Sequence, residues 1–332
     1  MATLKDVARE AGLSVGTVSR VLNNRGYISD ETRQSVNRAM KKLNYQPNEM
    51  ARSLSKRRSS MIGVIVPSIS HPYFSKLVES LESKAHEEEY EILLFVSQGR
   101  VDREEEYVRA CISNRVAGLI LCTGSVRTAR LKNLGFPVVA YERLLNDADA
   151  GVECDNYEGG SLAAEELIRC GCRNLLCISG VGEVSMPADV RRNGFVDVCA
   201  RHEGISVRSF ACSEESVSDL DYKTQLQTCM DQNPGVDGVF ASSDVIAAEL
   251  LGVLRERDLR IPEDVQVIGY DDVFVSELTT PELTTIHQPV QEMAQTCIDI
   301  IRQAAAGETF PSRTVLRVKL IRRGSTRTIQ AD

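Results

Sequence analysis

Apolar positions follow two rhythms along this 332-residue chain, and one gives way to the other near residue 60. Up to there they recur at helical spacing. Leu4, Val7, Ala8 and Ala11 lie at i, i+3, i+4 and i+7; Val18, Val21 and Leu22 repeat the stripe; Val36, Ala39, Met40 and Leu43 carry a third. Thr3 followed by Asp6 is a capping-box start, Gly12 supplies the freedom to end the first helix, and Ser14 can cap the second. A third helix begins near Ser29, after the polar Asn23-Asn24-Arg25-Gly26 turn. The pattern predicts three short helices around one small core. It leaves Val15, Gly16, Thr17, Ser19 and Arg20 on the outer face of the second helix.

After Asn44-Tyr45-Gln46-Pro47-Asn48 breaks the pattern, residues 49–58 resume it for two turns, a length marginal for an isolated helix in water. From Met61 the rhythm changes to short continuous apolar runs: residues 61–66, 91–96 and 118–121, then runs near Val138, Asn174, Ser206, Gly238 and Val265. Amphipathic stretches such as 72–88 and 102–113 separate them. This alternation predicts parallel strands joined by crossover helices, in α/β sheets covered on both faces. The strands are too many for one sheet, so two doubly wound lobes are expected. In such sheets ligands bind beyond the carboxyl ends of the strands, which directs attention to the polar turns there.

The composition, 42% apolar and 26% charged, is that of a soluble globular protein. Charge changes the picture only when split by position. Residues 1–60 hold 12 Lys and Arg against 5 Asp and Glu, a local +7, so with a net −8 overall the remainder carries −15. A basic head on an acidic body confines phosphate contact to the head. No segment approaches the roughly 18 apolar residues of a membrane span, and the expected location is the cytoplasm, associated with the nucleoid. All ten cysteines lie between Cys111 and Cys297, mostly in apolar stretches, and are expected to be buried and reduced. Cys170-Gly171-Cys172 lacks a second ligand pair and reads as structural, and the four histidines fall in different elements. Neither a metal nor a cofactor is expected, and no nucleophile elbow or phosphate-cradling fingerprint stands out, so catalysis is not the expected role.

Two helices hinged at Gly12, on a basic head, have the layout of a helix-turn-helix DNA reader. Thr17-Val18-Ser19-Arg20-Val21-Leu22-Asn23, Leu43-Asn44-Tyr45-Gln46-Pro47-Asn48 and Ala51-Arg52-Ser53-Leu54 together resemble the lactose/galactose repressor (LacI/GalR) family, and the resemblance runs through the whole chain. It implies a headpiece over 1–46, a hinge over 47–59 and a periplasmic-binding-protein-like core over 60–332. The core's first lobe would take about 60–154 and 289–311, and its second about 155–286 and 312–332. Val15, Gly16, Thr17 and Arg20 would face base edges, Arg20 being suited to guanine and Val15 and Thr17 to a thymine methyl. Thr3, Ser14, Ser19, Asn23, Tyr45 and Asn48 would position phosphates. Ala51, Arg52 and Leu54 would enter the minor groove, with Leu54 as the wedge.

In the core the resemblance places Arg191, three residues before Gly194-Phe195, and Asp271 of Gly269-Tyr270-Asp271-Asp272 against an effector. His71, Tyr73, Phe74, Glu142, Arg143, Ser243 and Asp244 complete the expected pocket. A carboxylate after a strand also commonly caps the next helix, which is the other reading of Asp155, Asp244 and Asp272. The expected function is a homodimeric repressor of a carbohydrate-utilisation operon, bound to a pseudo-palindromic DNA operator and switched by a small sugar or sugar phosphate. The rivals are a catabolite-control-type regulator with a phosphoprotein co-effector and a solute-binding protein. Replacing Arg20 by Ala should relax preference at one base pair per half-site by about 1–3 kcal/mol, measured by binding to single-position operator variants. A uniform loss over all variants would make Arg20 a phosphate contact instead.

Overall fold

The computed structural model describes residues 2–22, 26–45, 60–123, 131, 133–143, 147–179, 187–213 and 220–328. These form two units, one of residues 1–60 with 114–116 and one of the remainder. The expected contacts Asn23, Asn48, Ala51, Arg52 and Leu54 lie outside the described residues.

The first unit holds α1 (Leu4–Ala11), α2 (Val15–Leu22) and α3 (Asp30–Lys42). Thr3 and Asp6 form the capping box, and Gly12 ends α1 with φ +67°, a left-handed conformation that favours glycine. Ser29 caps α3 by accepting from the Thr32 amide at 3.3 Å. Val7, Ala8, Val18, Val21, Val36 and Ala39 are the buried core, packed by Leu4, Ala11, Leu22, Met40 and Leu43. The helical stripes meet as their spacing requires.

The second unit contains two six-stranded sheets. Strands β1 (Met61–Val66), β2 (Glu91–Val96), β3 (Gly118–Leu121), β4 (Val138–Tyr141) and β5 (Ala150–Cys154) build the first, with α4 (Pro72–Glu87) and α5 (Val101–Asn114) between them. The second lobe runs through α6 (Asn156–Arg169), β6 (Asn174–Ser179), α7 (Pro187–Ala200), β7 (Ser206–Ala211), α8 (Lys223–Gln232), β8 (Gly238–Ala241), α9 (Asp244–Glu256), β9 (Gln266–Asp271), α10 (Val275–Leu278) and β10 (Thr284–His287). The chain then returns through α11 (Val290–Ala306), β11 (Arg313–Leu316) and β12 (Lys319–Ile321). Strand order is β11-β5-β4-β3-β1-β2 in one sheet and β12-β10-β9-β8-β6-β7 in the other.

Three details depart from the sequence reading. β5, β11 and β12 are short edge or near-edge strands that the apolar runs do not announce. β11 pairs with β5 in the first sheet, so residues 313–316 belong with the first lobe and not, as the resemblance implies for 312–332, with the second. β12 runs antiparallel to β10, making the second sheet mixed. The chain therefore passes between lobes three times, at β5–α6, β10–α11 and β11–β12, which holds the carboxyl ends of both sheets toward one cleft.

The face of α4 that carries Tyr73, Leu77, Leu81 and Ala85 is buried, each large side chain contributing about 1.5–3 kcal/mol. Helices α6 and α7 approach backbone to backbone. A methyl group on Gly160 would overlap the Arg191 carbonyl, and one on Gly194 the Tyr157 carbonyl. That contact sets where α7 presents Arg191. Gly160→Ala should therefore destabilise the fold by at least about 1–3 kcal/mol in urea unfolding. Gly252→Ala on α9, where the added carbon meets nothing within 4 Å, should be neutral or gain up to about 1 kcal/mol. Equal stability of the two variants would remove the role given to the α6–α7 contact.

Candidate functional site

On the headpiece, Val15 is 40% exposed, Gly16 and Arg20 are exposed, and Thr17 and Ser19 are half-buried. Gly16 faces open space: beyond its own helix backbone and chain neighbours, an added carbon would meet, among the described residues, the Ser14 hydroxyl at 3.8 Å. The side chain of Ser14 is committed locally: Oγ accepts from the Thr17 amide at 3.1 Å and lies 2.9 Å from the Thr17 hydroxyl. Thr3 is likewise the cap of α1, its hydroxyl donating to Asp6 Oδ2 at 2.7 Å, and Tyr45 packs against the small core. Thr3 and Ser14 are thus occupied as helix caps and Tyr45 in packing. Tyr27, which the sequence patterns did not single out, is fully exposed.

In the core, the carboxyl ends of the strands bring Arg191, Asp271, Glu142, Tyr73, Asn156 and Gln288 into one polar cluster. Arg191 on α7 donates Nε to Asn156 Oδ1 at 2.7 Å and Nη1 to the Ser242 carbonyl at 2.8 Å. Its guanidinium carbon lies 3.6 Å from the centre of the Tyr270 ring, a cation–π stack, and Nη1 is 3.9 Å from Asp271 Oδ1. Burial opposes its charge, but the Tyr270 hydroxyl and Asp271 outweigh that and raise its pKa. Burial pushes Asp271 up to about 7, against the pull of Arg191 and the Gln288 hydrogen bond. Asp271 also takes φ +108°, a conformation uncommon outside glycine and a mark of backbone fixed by its surroundings.

Gln288, between β10 and α11, is the hub between lobes. Its Nε2 donates to Asp271 Oδ1 at 2.7 Å, while its Oε1 accepts from the Tyr73 hydroxyl at 3.0 Å and the Cys154 thiol at 3.3 Å. Tyr73 also lies 3.0 Å from the Tyr141 hydroxyl. Glu142 accepts from Asn156 Nδ2 at 2.9 Å and from the Cys154 amide, so it orients the residue that orients Arg191. Lys76 on α4 reaches across to the Asp272 carbonyl at 2.8 Å.

The other expected pocket residues divide. His71 caps α4 through Nδ1, which accepts from the Tyr73 amide at 3.2 Å; burial and then Arg191 lower its pKa to about 4, keeping it neutral. Phe74 meets His71 and Tyr73 edge-on. Arg143 is largely enclosed, and burial lowers its pKa. Ser243 is the cap of α9, and Asp244 is wholly buried, with Oδ2 accepting from the Val273 amide at 2.9 Å and Oδ1 from the Thr285 hydroxyl. Ser243 is thus spent within α9, and Asp244 braces α9 against the turn after β9. Asp272 is a brace as well: burial works against its charge, but His287 and Arg323 hold its pKa at about 2. Asn156, Gln288, Tyr141 and Tyr270 were missed, the only sequence signal being polar groups that interrupt apolar runs at strand ends. All ten cysteines are free and buried. Among the described residues no helix is long and apolar enough to cross a membrane, and no group of three or more metal-ligating side chains is gathered.

The chain matches the family model of bacterial regulatory proteins, lacI family, over residues 3–48 and that of the periplasmic binding protein-like domain over 164–326. It is 34% identical over 328 residues to a ribose operon repressor of Halalkalibacterium halodurans, covering 98% of each chain. Among solved structures it is similar to the lac repressor dimer bound to operator and the anti-inducer ONPF, with a TM-score of 0.86 and 25% identity over 98% of this chain and 99% of that one. It is also similar to a periplasmic binding protein/LacI transcriptional regulator of Alkaliphilus metalliredigens complexed with D-xylulofuranose, at TM-score 0.73 and 31% identity, covering 81% of this chain and 100% of that chain.

Gln288→Ala would take from Asp271 Oδ1 the hydrogen bond it accepts and leave the Tyr73 hydroxyl with Tyr141 as its partner, both in a buried setting. It should cost about 1–3 kcal/mol in urea unfolding, whereas removing the exposed partner of the Lys84–Glu87 pair in Glu87→Ala should cost well under 1 kcal/mol.

Proposed function

Because the chain belongs to the LacI family of bacterial regulatory proteins, it is a DNA-binding transcription regulator and not an enzyme, and we propose that it represses a sugar-utilisation operon under control of a five-carbon sugar. The observation that carries this reading is the cluster around Arg191: a buried guanidinium stacked on Tyr270, with Asp271 beside it, Gln288 at the crossing between lobes and Tyr73 reaching in from the first lobe. Such a set offers donors, acceptors and a flat aromatic face at short range, which suits a compact polyhydroxylated ligand. Two relatives point to the same size of ligand, one named for a ribose operon and one complexed with D-xylulofuranose.

In this proposal two copies place two α2 helices in successive major grooves of a pseudo-palindromic operator. Val15, Thr17 and Arg20 reach the base edges, and residues 51–54 enter the minor groove. A sugar in the cleft replaces part of the protein's own hydrogen bonding across it and so changes the balance between lobe arrangements. It moves DNA affinity only as far as its own affinities for the two arrangements differ.

Purified protein should be melted with D-ribose, D-xylulose, sucrose and hypoxanthine. A ligand at a hundred times its Kd adds about 2.7 kcal/mol, which for a protein of this size raises Tm by several degrees. A rise with a pentose and none with hypoxanthine is the expected result. No rise with any sugar would overturn the pentose reading and favour a protein co-effector.

A further inference from the structure

We propose that Asp271 is a carboxylic acid in the unliganded cleft and gives up its proton to solvent when a sugar hydroxyl binds it, so that effector binding is coupled to proton release. This rests on the sugar reading of the cleft.

The surroundings of Asp271 do not supply what a buried carboxylate needs. The residue is 3% exposed. Its Oδ1 accepts one hydrogen bond, from Gln288 Nε2, and among the described residues none is made to Oδ2. The nearest cation, Arg191, stands at 3.9 Å, and its bonds at Nε and Nη1 go to Asn156 and the Ser242 carbonyl. Two or three direct hydrogen bonds are the usual means of holding an enclosed carboxylate ionised.

The charges on the elements packed around it do not make up the deficit. From α4, Lys76 commits its ammonium to the Asp272 carbonyl. His71, ahead of α4, is kept neutral by burial. Glu142, after β4, adds negative charge, and so does Asp244 of α9, a second enclosed carboxyl whose own ionisation burial and Asp271 both resist. Tyr222 ahead of α8 and Tyr270 of β9 contribute only phenols, both pushed up by burial. Asp272, the next residue, spends its charge on His287 and Arg323. Burial accordingly pushes the Asp271 carboxyl up to about 7, with Arg191 opposing.

A vicinal diol changes this balance. It brings O–H donors to the unpartnered oxygen, and a carboxylate accepts on both oxygens where the acid accepts well on one. Hydrogen bonds to the ionised form are roughly twice as strong as neutral ones. The ligand therefore selects the carboxylate, the O–H bond of the acid breaks, and the proton passes to buffer.

Linkage gives a test that begins without ligand. The folded pKa lies above the unfolded value of 3.8, so the destabilisation is absent below about pH 4 and grows as pH rises to about 7. The Tm of Asp271→Asn relative to the unsubstituted chain should rise steadily across that window and level off above it. Calorimetric titration of the unsubstituted chain with D-ribose and D-xylulose at pH 7, in phosphate and in Tris, should then give apparent heats that differ by the release of about half a proton. A flat Tm difference from pH 4 to 7 would overturn the proposal, as would equal heats in the two buffers. A pH-dependent difference in Tm with no heat from either sugar would uphold the acid while counting against the pentose reading.

Discussion

The polar cluster where the strand ends of the two lobes meet depends on one enclosed guanidinium. Arg191 is positioned by a backbone contact that only glycines allow, at Gly160 and Gly194, and is oriented by Asn156, which Glu142 in turn holds. An unpaired charge in such a place would be prohibitive. The structure offsets it with an aromatic face, a carbonyl, an amide oxygen and a nearby carboxyl, none of which neutralises it outright. A site so assembled is rigid in position and incompletely satisfied in hydrogen bonding, a combination that favours a small polar ligand.

The threefold passage of the chain between lobes gives that cluster its mechanical meaning. Tyr73 and Lys76 reach from α4 of the first lobe to Gln288 and the Asp272 carbonyl, so the hydrogen bonds at the cleft are also the contacts that relate the two sheets. A ligand competing for Asp271 or Gln288 changes both at once. The headpiece needs no such device: its small core and capped helices are self-contained, and Gly16 leaves a gap on the exposed face of α2 that carries Val15 and Arg20.

Much of this was legible in the sequence because periodicity reports burial directly. The stripes in residues 4–43 and the apolar runs from Met61 to Gln266 became the headpiece core and most strands. β5, β11 and β12 were not visible, since edge and near-edge strands with polar neighbours carry no continuous run, and β11 was for that reason assigned to the wrong lobe. Within the cleft, Arg191 and Asp271 were found through family likeness, and Asn156, Gln288, Tyr141 and Tyr270 were not found. Their direction is set by how two distant strand ends meet, which local pattern does not encode. Ser243 and Asp244 show the converse: residues that look like ligand contacts in sequence are occupied as a helix cap and a buried brace.

We propose that the Arg191 cluster converts sugar binding into a change of DNA affinity. The most direct measurement is the Kd for an operator duplex, recovered by selection from random DNA, titrated with D-ribose for the unsubstituted chain and for Arg191→Ala. Coupling of ordinary strength predicts a change in operator Kd of about fivefold or more in the former and none in the latter. An equal change in both proteins, or no change in either, would contradict the account.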